Sequence, residues 1–185
     1  MSAKAPIRER GIPEQKSMCE FLRATPSNSN EYDFAKGEIR FEYKWSKLYL
    51  LHPKKVRDGR EGVRHDWVWA DIWGDSNSKS FDFLVLEGSL PSAGSRREAG
   101  TETFLVPAGD LMELEKREGR RRNRFQIQIE QTPRAGLLTR FIWAHRRPKQ
   151  EIRSWLEEMK PGTLNAGPSS NQYDLFAKSE LKTGR

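Results

Sequence analysis

The chemically most informative residues of this sequence are two acids and a lysine within residues 33–44. Glu42 and Lys44 are two positions apart, so on a β-strand both side chains leave the same face. Asp33 lies just before a predicted turn at Lys36-Gly37, and a hairpin there would bring its carboxylate toward Glu42. Two carboxylates can hold a hard cation such as Mg²⁺ through oxygen ligands. A neighbouring lysine can orient or help deprotonate an attacking water, which completes the minimum equipment for hydrolysing a phosphodiester.

The strand that carries this pair is indicated by strict alternation of apolar and charged residues. Ile39, Phe41, Tyr43 and Trp45 alternate with Glu38, Arg40, Glu42 and Lys44. A period of two is typical of a strand with one face packed on a core and the other face polar.

The elements around this strand are predicted from periodicity and from turn residues. Residues 13–22 favour a helix with Met18, Phe21 and Leu22 on one face. Residues 66–73 alternate as a strand whose tryptophans are Trp67, Trp69 and Trp73. The nearly continuous apolar run 81–86 predicts a central strand buried on both faces.

The remaining elements follow in the second half of the chain. Residues 104–106 predict a short strand, and Asp110 with Glu113 resembles a capping box for a helix that ends near Gly119. Further strands are predicted at 125–129 and 137–143. Residues 148–160 predict the clearest helix, with Ile152, Trp155, Leu156 and Met159 on one face.

These elements predict an α/β (α+β) fold with a central mixed β-sheet flanked by helices. Residues 1–12 are expected to form a flexible arm, residues 13–160 a single domain, and residues 161–185 a polar tail. A length of 185 residues is sufficient for one domain with a substantial core. Six tryptophans and nine phenylalanines also favour a packed interior over a disordered chain.

The net charge of +7 and the pI of about 9.6 favour nucleic acid or an anionic membrane as partner. No apolar run approaches the roughly 20 residues needed to span a bilayer, so no membrane association is expected. Cys19 is the only cysteine, which excludes an internal disulfide and makes a reducing cytoplasm the expected compartment.

Two dense basic stretches are candidate phosphate-binding segments. The first follows the acidic strand and the second follows the predicted capping-box helix; their residues are Lys54, Lys55, Arg57, Arg60 and Arg64, and Arg120, Arg121, Arg122 and Arg124. Both would suit contact with a nucleic-acid backbone. A mobile surface loop and a solvated helix end are the respective alternatives.

Asp33 followed by Glu42-Tyr-Lys44 resembles the motif of the PD-(D/E)xK nuclease superfamily, which includes many restriction endonucleases. A helix carrying an acid, then an aspartate, then E-x-K on a strand is the usual order in that family. The runs FDFLVL at 81–86 and FLVP at 104–107 are similar to family strands of the types D-x-L-V and F-x-V-P. The resemblance covers roughly residues 13–119, and Tyr32 stands where the motif's proline would be.

The resemblance implies a restriction-endonuclease-like core with the acidic site at one edge of the sheet. It implies a Mg²⁺-dependent DNA endonuclease of restriction or homing type, with Mn²⁺ as a substitute, in the cytoplasm of a bacterial, archaeal or phage-infected cell. Asp33 and Glu42 would bind metal, and Lys44 would act on the nucleophile. A glutamate of the first helix would join them, with Glu20 preferred over Glu14. Double-stranded DNA is the implied partner, and a homodimer is expected because a palindromic duplex has two equivalent strands.

Other interpretations of the same residues remain open. An alternating Glu/Lys strand is most often a solvated sheet face with cross-strand pairs. A basic chain with exposed aromatics is also compatible with a non-enzymatic nucleic-acid-binding module. A third alternative is a phage or mobile-element factor whose basic surface meets an acidic protein.

Overall fold

The computed structural model describes residues 12–51, 64–74, 79–91, 98–118, 126–131 and 136–158. The helices are α1 (Ile12–Phe21), α2 (Ala108–Glu118), α3 (Leu137–Ala144) and α4 (Lys149–Glu158). The strands are β1 (Thr25–Pro26), β2 (Phe34–Lys36), β3 (Ile39–Ser46), β4 (Leu48–Leu51), β5 (Arg64–Trp69), β6 (Phe83–Pro91), β7 (Glu98–Pro107) and β8 (Ile127–Glu130).

The larger sheet has the strand order β1-β2-β3-β6-β7 and is mixed. Strands β1, β2 and β3 form an antiparallel meander, β6 pairs with β3 in parallel, and β7 returns antiparallel to β6. A smaller antiparallel sheet has the order β4-β5-β8. Four helices accompany these sheets in the described ranges. The predicted mixed α/β architecture with helices around a central sheet is therefore confirmed.

Hydrophobic cores lie on both faces of the larger sheet, and together they bury β6 on both sides. Leu84 and Leu86 belong to one core, while Phe83 and Val85 belong to the other. The first core also contains the tryptophans of β5 and of the following turn, which are almost fully buried: Trp67, Trp69 and Trp73. These tryptophans are therefore core residues, and the prediction of a doubly buried central strand is confirmed.

The predicted strand at 137–143 was wrong, since this segment is helix α3. Leu138 and Ile142 are both buried and lie four positions apart, which is helical spacing. A short apolar run does not by itself distinguish a buried strand from a buried helix. The helix is tied to the smaller sheet by Trp143, whose Nε1 donates a hydrogen bond to the carbonyl oxygen of Glu130 at 3.0 Å.

Several boundaries also differ from prediction, including that of the strand predicted at 66–73, which is β5 and ends at Trp69. Helix α2 begins at Ala108, so Asp110 lies in its first turn and is not the N-cap. An aspartate there still suits the helix dipole, and it lies 3.5 Å from His145 Nε2. Strand β7 is longer than the predicted 104–106 because its first half pairs with the end of β6.

Gly88 of β6 determines how closely the smaller sheet packs on the larger one. A Cβ at this position would lie 2.6 Å from Trp67 Cε2, so the indole ring rests directly on the β6 backbone. The same ring donates a hydrogen bond from Nε1 to the carbonyl oxygen of Ser89 at 2.8 Å. Nearby, Ser46 Oγ accepts a hydrogen bond from the Val68 amide at 3.0 Å. The ends of β3 and β6 are thereby fixed against β5.

We expect Gly88→Ala to destabilise the protein by about 1–3 kcal/mol, because the new methyl group overpacks a fully buried ring. Equilibrium urea unfolding measures this directly. Gly109→Ala in α2 is the matched control, since a Cβ there meets nothing within 4 Å and replaces a poor helix former. Equal stability of Gly88→Ala and the wild type would contradict this packing.

Candidate functional site

Asp33 lies just before β2 and extends the hydrogen bonding between β2 and β3 through both its amide and its carboxylate. Its amide donates a hydrogen bond to the carbonyl oxygen of Phe41 at 2.8 Å, and its Oδ2 accepts one from the amide of Tyr43 at 2.8 Å. Asp33 therefore contacts the backbone on both sides of Glu42, through its amide at Phe41 and through its carboxylate at Tyr43. The hairpin predicted to carry Asp33 toward Glu42 is present.

Glu42 and Lys44 leave the same face of β3, as strand geometry requires. The Glu42 side chain is only 1% exposed, and its Oε1 lies 3.0 Å from Lys44 Nζ. Within the described residues, neither Glu42 carboxylate oxygen accepts a hydrogen bond from a backbone amide or a hydroxyl group. The face is thus a buried charged site and not a solvated sheet surface.

Lys79 joins the two carboxylates. Its Nζ lies 2.9 Å from Glu42 Oε2 and 3.6 Å from Asp33 Oδ1. The backbone fixes this position, because the Lys79 amide donates to the carbonyl oxygen of Trp73 at 3.0 Å and the Ser80 amide donates to that of Glu31 at 2.8 Å. One ammonium group therefore bridges Glu42 of β3 and Asp33, the residue immediately before β2.

The electrostatics of the four side chains are coupled. Burial raises the pKa of the Glu42 carboxyl, and the Asp33 charge raises it further, while Lys44 and Lys79 act in the opposite direction. Burial alone would lower the pKa of Lys79, but attraction to Glu42 and Asp33 raises it on balance. The ammonium of Lys79 is therefore held in its charged form between the acids.

The cluster reaches the surface through three of its four members. The side chains of Asp33 and Lys79 are each 17% exposed, and that of Lys44 is 24% exposed. Glu42 forms the floor beneath them. A solvent-borne group can approach the three outer side chains without the protein unfolding.

The structure does not bring Glu20 to this cluster. Its side chain is 69% exposed and lies 3.9 Å from Lys16 of the same helix. The buried face of α1 is formed instead by Met18 and Cys19, and is continued by Leu22 just after the helix. Glu20 points to solvent because a different face of α1, which carries Met18 and Cys19, packs on the sheet.

Glu14 takes part in a different cluster, on the opposite face of β3. Burial raises the pKa of Tyr43, and the charges of Glu87 and, to a smaller extent, Glu14 raise it further. The Tyr43 hydroxyl donates a hydrogen bond to Glu87 Oε2 at 2.7 Å, and Lys149 Nζ lies 2.5 Å from Glu87 Oε1. This second cluster fastens α4 to the sheet.

Asp82 and Asp66 have partners in the strand framework. Asp82 accepts hydrogen bonds from the Arg40 guanidinium through both carboxylate oxygens, at 3.2 and 3.1 Å. Asp66 accepts one from Gln128 Nε2 at 2.7 Å. Both therefore stabilise strand packing.

Most of the predicted nucleic-acid-binding residues lie outside the described residues. These are Lys54, Lys55, Arg57, Arg60, Arg120, Arg121, Arg122 and Arg124. Arg64 is described only as the first residue of β5, which pairs with Leu51 of β4.

The oxygen atoms of Asp33 and Glu42 suit a hard divalent cation. No group of three or more potential metal-binding side chains occurs among the residues that the structure describes. Mg²⁺ needs only one or two carboxylates, because it retains several waters and accepts substrate phosphate oxygens. The buried Glu42 oxygens without neutral hydrogen-bond donors are consistent with a site that accommodates positive charge.

Comparison with known proteins gave no matching family model, no matching curated protein and no matching solved structure. Within the described ranges, no helix combines the length and apolar character needed to cross a membrane. The case for a function rests on the chemistry of the cluster.

Lys79 was missed by sequence reasoning. It lies in the polar segment DSNSKS at 75–80, where no periodicity distinguishes it from a surface lysine. Its place beside Glu42 follows from the parallel pairing of β3 with β6, in which Glu42 aligns with Leu84. That pairing joins distant parts of the chain and leaves no local signal.

The raised pKa of Glu42 predicts a characteristic pH dependence of stability. Between the ordinary glutamate pKa and the raised native value, the native state binds more protons than the unfolded state, so the unfolding free energy falls as pH rises. Glu42→Gln lacks this loss. In EDTA, urea unfolding from acidic to neutral pH should show Glu42→Gln gaining stability relative to the wild type.

The matched control for this series is Glu38→Gln, since Glu38 is exposed at the start of the same hairpin strand. Its stability should follow that of the wild type at every pH. A constant difference between Glu42→Gln and the wild type across the series would contradict the assigned direction of the shift.

Proposed function

We propose that this protein is a Mg²⁺-dependent endonuclease that hydrolyses phosphodiester bonds of double-stranded DNA. One observation carries the proposal: the carboxylates of Asp33 and Glu42, from two segments of a hairpin, converge on one ammonium beside Lys44. Buried carboxylates that share a cation-accepting position are a costly arrangement, and such sites are typically functional.

Asp33 and Glu42 are the residues that would hold the divalent cation. When bound, this cation supplies Lewis-acid polarisation of the phosphate and lowers the pKa of a water. Asp33 is positioned for this role because the Tyr43 amide holds its Oδ2 while Oδ1 faces Lys79. Glu42 is positioned by burial in the middle of β3.

Lys44 would orient the attacking water and offset the negative charge that develops on the phosphate oxygens. Its ammonium is anchored by Glu42 Oε1 at 3.0 Å yet is partly exposed, so it can meet both water and substrate. Preorganised positive charge near a buried site is worth more than the same charge in water. The reaction is then a direct displacement, in which water attacks phosphorus and one ester oxygen leaves.

The choice of DNA as substrate is supported by charge and by the motif. The chain carries an excess of seven positive charges, and counterion release makes such chains bind nucleic-acid backbones. The order of helix, aspartate and E-x-K strand resembles the PD-(D/E)xK nucleases. A homodimer and a restriction or homing role belong to the same proposal.

We expect Asp33→Asn, Glu42→Gln and Lys44→Met each to lower the rate of plasmid cleavage at least about 100-fold, since each removes a group that acts on the transition state. DNA binding, measured in Ca²⁺ by gel shift, should remain within a few fold of wild type. Cleavage is measured on supercoiled plasmid in Mg²⁺.

The matched controls are Glu38→Gln for the acids and Lys47→Met for the lysine, because both residues are exposed and close to the same strand. Both controls should cleave like the wild type. Full activity of Asp33→Asn and Lys44→Met would reject the site, and metal-independent binding without nicking would favour a non-enzymatic nucleic-acid-binding module.

A further inference from the structure

Lys79 has a position that the roles of the other three residues do not account for. Its ammonium contacts the two carboxylates at once, whereas Lys44 contacts only Glu42 among the described acids. A divalent cation held by both carboxylates would neutralise the same negative charge that Lys79 neutralises now. The Lys79 ammonium lies 3.6 Å from Asp33 Oδ1 and 2.9 Å from Glu42 Oε2, where it offsets both acids.

We propose that Lys79 is an internal counterion that competes with the divalent cation for Asp33 and Glu42. This inference rests on the proposed function, because it concerns the same two carboxylates. In the metal-free protein Lys79 neutralises the acids and keeps them together. On metal binding Lys79 gives up that position, and its ammonium becomes available to a phosphate oxygen of the substrate.

The surroundings of Lys79 support an exchangeable side chain on a fixed backbone. The amides of Lys79 and Ser80 are held by the carbonyl oxygens of Trp73 and Glu31. The side chain keeps 17% of its surface exposed, so it has a route toward solvent. The lysine side chain has a flexible four-carbon stem, which allows the ammonium to move while the backbone stays in place.

The competition has a thermodynamic consequence. A ligand binds more weakly when its site is free in only a fraction of the molecules. The apparent Kd is the intrinsic Kd divided by that fraction. Removing the Lys79 ammonium should therefore tighten metal binding. It should also destabilise the metal-free protein, because two neighbouring carboxylates lose their shared counterion.

The test is titration of Mn²⁺ into the full-length protein by isothermal calorimetry, without DNA. Lys79→Met should lower the Kd for Mn²⁺ at least about 10-fold, with Lys79→Gln as a second neutral variant. Lys79→Arg, which keeps the charge, should bind no more tightly than the wild type. In EDTA, the Tm of Lys79→Met should fall by at least about 5 °C, and Mn²⁺ should raise it more than it raises the wild-type Tm.

Lys44→Met is the matched control, because it removes a charge beside the same Glu42 but leaves the contact of Lys79 with both acids in place. We expect it to lower the Kd by a smaller factor than Lys79→Met does, because Lys44 contacts one of the two acids. Equal tightening by Lys44→Met and Lys79→Met would reduce the effect to general electrostatics and overturn the competition. An unchanged Kd in Lys79→Met would also overturn it.

Asp33→Asn separates failure of this inference from failure of the proposed function. If Asp33→Asn abolishes Mn²⁺ binding and Lys79→Met leaves the Kd unchanged, the metal site stands and the role of Lys79 falls. If neither the wild type nor any variant binds Mn²⁺, the metal-dependent function itself falls.

Discussion

The carboxylate of Glu42, buried in the middle of β3, is the constraint on which the rest of the site depends. An ionised carboxylate that has left water requires nearby positive charge, since the desolvation cost is otherwise prohibitive. Lys44 supplies one ammonium from the same strand and Lys79 supplies another from the segment before β6. Asp33 then adds a second negative charge, and among the described residues Lys79 is the cation that contacts both acids. The geometry of all four side chains follows from satisfying one buried charge.

The fold holds these charges in place through two strand pairings and one close packing contact. Pairing of β2 with β3 brings in Asp33, and the parallel pairing of β3 with β6 brings in Lys79. The smaller sheet packs over the far end of the same face, where the Trp67 ring lies on Gly88. Leu84 and Leu86 of β6, which pair with Glu42 and Lys44, belong to the apolar core on this side of the sheet. The site therefore occupies the boundary between a core and the surface.

The sequence predicted what depends on local periodicity and missed what depends on long-range pairing. The alternation of β3 is local, so it placed Glu42 and Lys44 on one face, and the Lys36-Gly37 turn correctly placed Asp33 nearby. Lys79 has no local signal because its position depends on hydrogen bonds of its segment to Trp73 and Glu31 and on the β3–β6 pairing that follows. Glu20 was preferred on helix position alone, yet docking by Met18, Cys19 and Leu22 turns it outward. The predicted strand at 137–143 is too short for its apolar residues to distinguish helix from strand, and burial of Leu138 and Ile142 four positions apart favours the helix.

Cleavage of supercoiled plasmid by the wild-type protein, compared in Mg²⁺ and in EDTA, tests the central claim most directly. A Glu42→Gln preparation purified in parallel excludes a contaminating nuclease. The account predicts nicked or linear plasmid with the wild type in Mg²⁺, and intact plasmid in EDTA or with the variant. Intact plasmid in Mg²⁺, bound equally well with and without the metal ion, would contradict it.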